Sequence, residues 1–149
     1  LSTGPHADEE RQKRIRRELV RMSTMGKFKG VTPRLLPRFL SPAALQNETL
    51  ASAVMAMGEA VGQHNFALQQ EAIMNRREQM GTLAQFHKPS LVLCGDLDEL
   101  TPPELAHEMA GVLRDAELVI LPDVGHLSAM EAPDEVAAAL LRLIDRIAT

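Results

Sequence analysis

The chain has 149 residues, of which 45% are hydrophobic and 24% charged, a composition typical of a globular protein that can bury a core. Its net charge of −4 and its 3% aromatic content argue against a nucleic-acid partner. No apolar run approaches the roughly 20 residues of a membrane-spanning helix. The single Cys excludes an internal disulfide and fits a reducing compartment, so we expect a cytoplasmic protein without a membrane partner.

Helical patterns dominate the first part of the chain. Residues 1–6 are predicted to be a loop, because Gly4 and Pro5 break regular structure. In the helix predicted for residues 8–22, Ile15, Leu19 and Met22 share one face and form a narrow apolar stripe. The other predicted helices are 33–40 with an interruption at Pro37, a helix that begins after the N-cap residue Asn47 and weakens at Gly62, 64–75, and 78–86.

The pattern changes at Pro89. Residues 90–94 form a continuous apolar run that ends at Gly95, and residues 118–121 form a second run. Such runs are typical of strands buried on both faces of a parallel sheet. Proline opens the helix after each strand, and the last helix carries the apolar face Val136, Leu140, Leu143 and Ile147. We therefore predict an α/β fold in which a helical part precedes a β-α-β-α unit.

An acidic residue and a histidine follow the two predicted strands. Asp98 lies four residues after Cys94, and His126 lies five residues after Leu121. The carboxyl ends of parallel strands meet at one edge of the sheet, so the carboxylate and the imidazole are expected to lie together there. Histidine is the natural base for a hydroxyl nucleophile, and a carboxylate fixes its tautomer. Gly125 is expected to leave room for the His126 ring to turn into the site.

Two other residues compete for these roles. Asp96 is closer to the end of the strand than Asp98, although the spacing after Gly95 favours Asp98. Cys94 lies inside a buried run and is expected to be an inert core thiol. The remaining histidines are scattered without metal-ligand spacing, so we expect no metal site.

The stretch from Pro89 onward resembles the C-terminal part of the α/β-hydrolase fold superfamily, including its esterases and enol-lactonases. The resemblance rests on the order strand, acid loop, helix, strand, His loop, helix, and on these segments: Pro89-Ser90-Leu91-Val92-Leu93-Cys94-Gly95, Asp98-Glu99-Leu100-Thr101-Pro102, Val124-Gly125-His126-Leu127 and Glu131-Ala132-Pro133. It implies that Asp98 is the acid that orients histidine and that His126 is the general base. In that family the nucleophile precedes both in the chain.

The resemblance also implies a division of the chain. Residues 1–6 are expected to leave an upstream core strand, 7–86 to form a helical cap, and 87–149 to form the C-terminal part of the core. No Gly-x-Ser-x-Gly, and no Cys or Asp version of it, occurs in the 149 residues. The nucleophile is therefore expected upstream of Leu1, in a segment of the same protein, and residues 1–149 alone are expected to be inactive.

The implied function is hydrolysis of a small ester, thioester or lactone through a Ser-His-Asp triad that needs neither a metal nor an organic cofactor, with a homo-oligomer as an open possibility. Two alternatives remain. One is a member of the same fold with other chemistry, such as a dehalogenase, a C–C bond hydrolase or a cofactor-free haloperoxidase, because the fold does not set the reaction. The other is a non-catalytic fragment or interaction module, whose uncovered sheet edge would favour pairing with another chain.

Overall fold

A computed structural model describes residues 3–26 and 28–148, so Leu1, Ser2, Lys27 and Thr149 lie outside the described residues. Within those ranges the chain is a mixed α/β structure with six helices and two strands. The elements are α1 (Glu10–Ser23), α2 (Glu48–Met74), α3 (Met80–Ala84), β1 (Ser90–Gly95), α4 (Pro103–Val112), β2 (Ala116–Leu121), α5 (Ser128–Glu131) and α6 (Pro133–Ala148). Two short 3-10 turns, Leu36–Arg38 and Ala44–Gln46, lie between α1 and α2.

The two strands form a parallel sheet between two helices. The register places Ser90 opposite Ala116 and Gly95 opposite Leu121. Successive side chains of a strand point to opposite faces, so alternate residues of β1 enter different clusters. Leu93 packs with Val136 and Ala139 of α6 on one face. On the other face, β1 residues Val92 and Cys94 pack with Ala106 of α4.

The sheet is less buried than the apolar runs predict. β1 is buried from Val92 to Gly95, but β2 is buried only at Leu121. In the part of the chain that the structure describes, the sheet has only these two strands, so each keeps an unpaired edge. A groove of about 280 Å³ runs along β1 and is lined by residues 90–94 together with Leu83, Phe86 and Leu113.

The described residues cover little of the apolar stripe on α1. Ile15, Leu19 and Met22 are 53%, 45% and 59% exposed. Polar groups instead link α1 to its neighbours. Arg16 bonds the buried Asp8 at 2.5 Å and Gln70 of α2 at 3.0 Å.

Local sequence signals set most of the helix boundaries. The Asn47 side chain accepts from Leu50 N at 3.1 Å and begins α2, as predicted. Gly62 interrupts α2 with φ 71°, a backbone conformation that favours glycine, where the sequence indicated two helices. The helix predicted for residues 33–40 is only the 3-10 turn Leu36–Arg38, because Pro37 cannot donate a backbone bond.

The described residues cover the predicted apolar face of the last helix only in part. Val136 is buried in α6, but Leu140 and Ile147 are 40% and 63% exposed. The buried positions are Val136 and Ala139, which face Leu93 and Leu121. The sheet is too narrow to cover the rest of the apolar face within the described residues.

A third apolar cluster joins the helical part to the loop after β2. Leu36, Leu40 and Val54 form its buried centre, and Leu127 and Met130 pack against it. The segment around residue 40 therefore lies directly against residues 122–127, the loop between β2 and α5 that carries His126 and is called the histidine loop below.

Candidate active site

The acid loop, residues 96–102, connects β1 to α4 and carries Asp98. Asp96 N donates to Leu121 O at 2.9 Å, and Leu97 N donates to Val124 O at 2.9 Å, so the loop continues the pairing with the chain after β2. A Cβ on Gly95 would come 2.1 Å from Val124 O, a distance that no side chain tolerates. Glycine at this position therefore allows the acid loop and the histidine loop to touch.

Asp98 lies in this loop with its side chain 0% exposed. Its Oδ1 accepts from the backbone nitrogens of Leu100 at 2.9 Å and Thr101 at 2.8 Å. Its Oδ2 accepts from the Thr101 hydroxyl at 2.7 Å. A carboxylate that receives these bonds is fixed in one orientation before any substrate arrives.

Asp98 is ionised across the ordinary pH range. Burial acts to raise its pKa, but hydrogen bonds from His126, the Thr101 backbone and the Thr101 hydroxyl outweigh it and lower the pKa to about 2. The negative charge needed beside a histidine base is therefore present at neutral pH.

The histidine loop is held by backbone bonds to the helical part. His126 N and Leu127 N both donate to Phe39 O, at 3.0 and 3.2 Å. The rings of Phe39 and His126 meet edge to face, with centroids 6.1 Å apart and planes at 65°. The loop that carries the imidazole thus rests on a residue 87 positions earlier in the chain.

The structure brings Asp98 and His126 together. His126 Nδ1 lies 2.9 Å from Asp98 Oδ2 and 3.1 Å from Oδ1. Because Asp98 is ionised, Nδ1 is assigned as the protonated nitrogen that donates to it. Nε2 then carries the lone pair, and the imidazole side chain is 20% exposed. This arrangement can accept a proton at Nε2 while the carboxylate stabilises the resulting imidazolium.

The structure separates Asp98 from its competitors. Asp96 is exposed and accepts from Val124 N at 3.3 Å, away from the imidazole. Burial and the Asp98 charge raise the pKa of the Cys94 thiol to about 11, so Cys94 is a neutral group. The described ranges, 3–26 and 28–148, hold no cluster of His, Cys, Asp and Glu that could bind a metal. None of the helices there is long and apolar enough to cross a bilayer.

Thr101 and Glu131 both lie within the segments that carry the resemblance, but no role beside the pair was predicted for either of them. Thr101 follows Asp98 by three residues, a spacing that allows a local side-chain turn and was a readable signal. Glu131 accepts from Gly125 N at 3.1 Å and from Ser41 N at 2.9 Å. Its partner Ser41 is 90 residues away, and no local pattern predicts such a contact.

Gly125 has a role besides the one expected for it. A Cβ there would come 2.8 Å from Ser41 N and 2.9 Å from Glu131 Oε1. The glycine is needed because two other groups approach its backbone closely.

Comparison with known proteins supports the same fold. Lipase 1 of Psychrobacter immobilis is 34% identical over 70 residues, which are 47% of this chain and 22% of the lipase. A thermophilic esterase from Thermogutta terrifontis superposes with a TM-score of 0.91 at 24% identity, over 99% of this chain and 55% of that one. The enol-lactonase of Burkholderia xenovorans LB400 superposes with a TM-score of 0.81 at 19% identity, over 97% and 54% of the two chains.

The matches have two consequences. The chain spans about half the length of these solved structures, and it matches them as a partial α/β-hydrolase fold. The sequence profile of the Alpha/beta hydrolase family matches residues 5–139, most of the chain. By this match the chain belongs to the Alpha/beta hydrolase family.

Proposed function

We propose that this chain carries the acid and the base of a hydrolase that cleaves a small ester, thioester or lactone through an acyl-enzyme. The observation that carries the proposal is the 2.9 Å contact between His126 Nδ1 and the buried carboxylate of Asp98. Asp98 holds His126 by Nδ1 and leaves Nε2 for proton transfer. A structural ion pair or a surface turn would not need a second nitrogen kept in this way.

The two residues have separate tasks in this reaction. His126 Nε2 takes the proton of a serine hydroxyl as its oxygen attacks the carbonyl carbon of the substrate. The imidazolium then gives that proton to the leaving alkoxide or thiolate as its bond to the carbonyl carbon breaks. In the second half, Nε2 takes a proton from water as its oxygen attacks the acyl carbon. The imidazolium then gives that proton to the serine oxygen as its bond to the acyl carbon breaks, which releases the acid and restores the serine and the neutral imidazole. Asp98 remains ionised throughout and stabilises the imidazolium.

The nucleophile in this proposal comes from a segment that precedes Leu1 in a longer protein. The absence of a Gly-x-Ser-x-Gly sequence from the 149 residues supports this, as does the match to only about half of the solved relatives. The unpaired edge of β1, with its groove of about 280 Å³, is suited to a further strand.

The proposed substrate class rests on the relatives. The identity of the upstream nucleophile would confirm or change this part of the proposal. The 34% identity to a lipase favours ester chemistry. An upstream Asp in place of Ser would indicate dehalogenase chemistry instead. Reading the coding sequence upstream of Leu1 distinguishes these reactions directly.

The test uses the full-length protein that contains residues 1–149 and an activated ester such as p-nitrophenyl acetate. His126→Ala and Asp98→Asn should each lower kcat by roughly a thousandfold or more, with the fold retained by circular dichroism. Asp96→Asn is the matched control, because it makes the same chemical change in the same loop, and it should leave kcat near the wild-type value. Near wild-type rates in both of the first two variants would refute the assignment.

A second experiment tests where the nucleophile lies. A fluorophosphonate probe should label a serine upstream of Leu1, located by peptide mass spectrometry, and His126→Ala should slow the labelling. Labelling of a serine within residues 1–149, or ester turnover by those residues alone that His126→Ala abolishes, would show that the nucleophile is in this chain. Failure to label or hydrolyse in any form would favour the non-catalytic alternative.

A further inference from the structure

Glu131 joins two loops that are far apart in the sequence. Its Oε2 accepts from Ser41 N at 2.9 Å, and its two oxygens lie 3.1 and 3.2 Å from Gly125 N. Ser41 follows the 3-10 turn Leu36–Arg38, whereas Gly125 immediately precedes His126. One carboxylate therefore ties the histidine loop to the helical part of the chain.

The two N–H groups depend on this carboxylate. Ser41 is 3% exposed and Gly125 is buried, so water has little access to either backbone nitrogen. A buried donor that loses its partner pays the cost of its lost hydration, and bonds to a charged acceptor are stronger than neutral ones. Removing the Glu131 carboxylate would therefore drive both loops to move until their N–H groups find other partners.

Movement of these loops would reach the imidazole directly. Phe39, two residues before Ser41, accepts from the His126 and Leu127 backbone nitrogens and places its ring against the imidazole. Gly125, His126 and Leu127 each donate a backbone bond, so three consecutive residues of the loop are held in place. If the histidine loop or residues 39–41 move, the position of His126 Nδ1 relative to Asp98 changes.

We propose that Glu131 is a positioning residue that holds His126 in register with Asp98 by fixing Gly125 against residues 39–41. This inference rests on the proposed role of His126 as the base. Glu131 does not touch the reacting atoms, and its effect on the reaction passes through the histidine loop. The carboxylate also makes the position of the base depend on the segment around residue 40, which packs against the same loop.

The experiment compares Glu131→Ala and Glu131→Gln in the full-length protein, with Glu135→Ala as the control. Glu135 is exposed in the first turn of α6 and gives the same change of charge four residues away. Glu131→Ala should lower kcat by roughly 10- to 100-fold and leave KM within about threefold. A misplaced base stabilises the transition state less well, whereas substrate binding does not depend on it. Glu131→Gln keeps an oxygen that can accept a backbone bond, and it should recover much of the lost kcat.

A spectroscopic readout separates positioning from a structural role. The proton on His126 Nδ1 gives a downfield NMR signal when it is held by a carboxylate, and its loss in His126→Ala identifies it. In Glu131→Ala this signal should broaden or shift upfield at temperatures where circular dichroism shows a folded protein. A purely structural Glu131 would lower the melting temperature and leave the signal and kcat unchanged, and that result would overturn the inference.

The outcomes separate this inference from the proposed function. Loss of activity in Asp98→Asn and His126→Ala with full activity in Glu131→Ala would refute only the role of Glu131. Full activity in the first two variants would refute the proposed function, and the Nδ1 signal would still report whether Glu131 positions the ring. Should Glu131→Ala fail to fold, Glu131→Asp takes its place, because it keeps the charge but shortens the side chain so that it cannot reach both N–H groups. Unchanged kcat and an unchanged signal in Glu131→Asp would count against the inference.

Discussion

The helix α1 in the helical region, residues 3–86, and the strand β1 in the sheet region, residues 87–148, both carry apolar patterns, but only that of β1 is buried. In the sheet region, Leu93 is 2% exposed and Ala139 is fully buried. In the helical region, Leu19 is 45% exposed and Met22 is 59% exposed, although their spacing is that of an amphipathic helix. An apolar pattern predicts which face can be buried, but burial also requires a second element to cover that face.

The sheet region contains its own covering elements. β1 lies between α4 and α6, and each of its faces enters a different apolar cluster. The neighbour of α1 is α2, and the bond that joins these helices is polar, from Arg16 to Gln70. The stripe of α1 therefore stays open in the described residues, whereas the end of β1 is closed on both faces.

The largest expected effect tests this difference by the same substitution in each region. Leu93→Ala should lower the free energy of unfolding by about 3 kcal/mol, because it leaves a cavity between β1 and α6. Leu19→Ala should lower it by about 0.5 kcal/mol or less, because the side chain is already half exposed. Urea denaturation of both variants measures the two values. Equal losses would mean that the α1 stripe is covered in solution and would remove the contrast between the regions.

The sequence was a better guide to strands than to their partners. The apolar run at 118–121 predicted β2, but the strand begins two residues earlier, at Ala116. Ala116 and Glu117 pair with Ser90 and Leu91, so the start of β2 is set by its neighbour and not by hydropathy. The last predicted helix of the helical region, 78–86, is shorter in the structure, at Met80–Ala84.

The same limit applies to the candidate site. The positions of Asp98 and His126 after two parallel strands were sufficient to predict that their side chains lie together, since topology alone brings these loops to one edge. The supports of His126 were not predictable, because Phe39 and Glu131 reach it through backbone groups whose partners are remote in sequence. Local spacing identifies residues that share an element, and only the folded chain shows which distant backbone groups meet them.

A second expected effect belongs to the sheet region alone and depends on pH. Because the pKa of Asp98 is lowered to about 2 from an ordinary value of 3.8, its stabilisation is fully present above about pH 4 and is lost as the pH falls through about 2. The corresponding free energy is about 2 kcal/mol. The difference in unfolding free energy between wild type and Asp98→Asn should shrink by that amount between about pH 5 and about pH 2. Asp96→Asn is the control, because it makes the same chemical change at an exposed position of the same loop. A constant difference between wild type and Asp98→Asn would show that Asp98 gains no stability from its ionised form.

The smallest expected effect tests the helical region at its most local signal. Asn47→Ala removes the side-chain oxygen that accepts from Leu50 N, and it should lower the stability of α2 by about 1 kcal/mol. Asn47→Asp keeps a cap oxygen and serves as the matched control. Amide hydrogen exchange at Leu50 and along the first turn of α2 measures the change, with the amides of β1 as an internal reference. Faster exchange confined to α2 would show that the helical region opens without the sheet, whereas equal acceleration in β1 would show that the two regions unfold as one unit.

The cluster of Leu36, Leu40 and Val54 joins α2 to Leu127 beside the imidazole. Since apolar contacts of that cluster connect the two regions, equal acceleration would also mean that a less stable helical region destabilises the loop that holds His126.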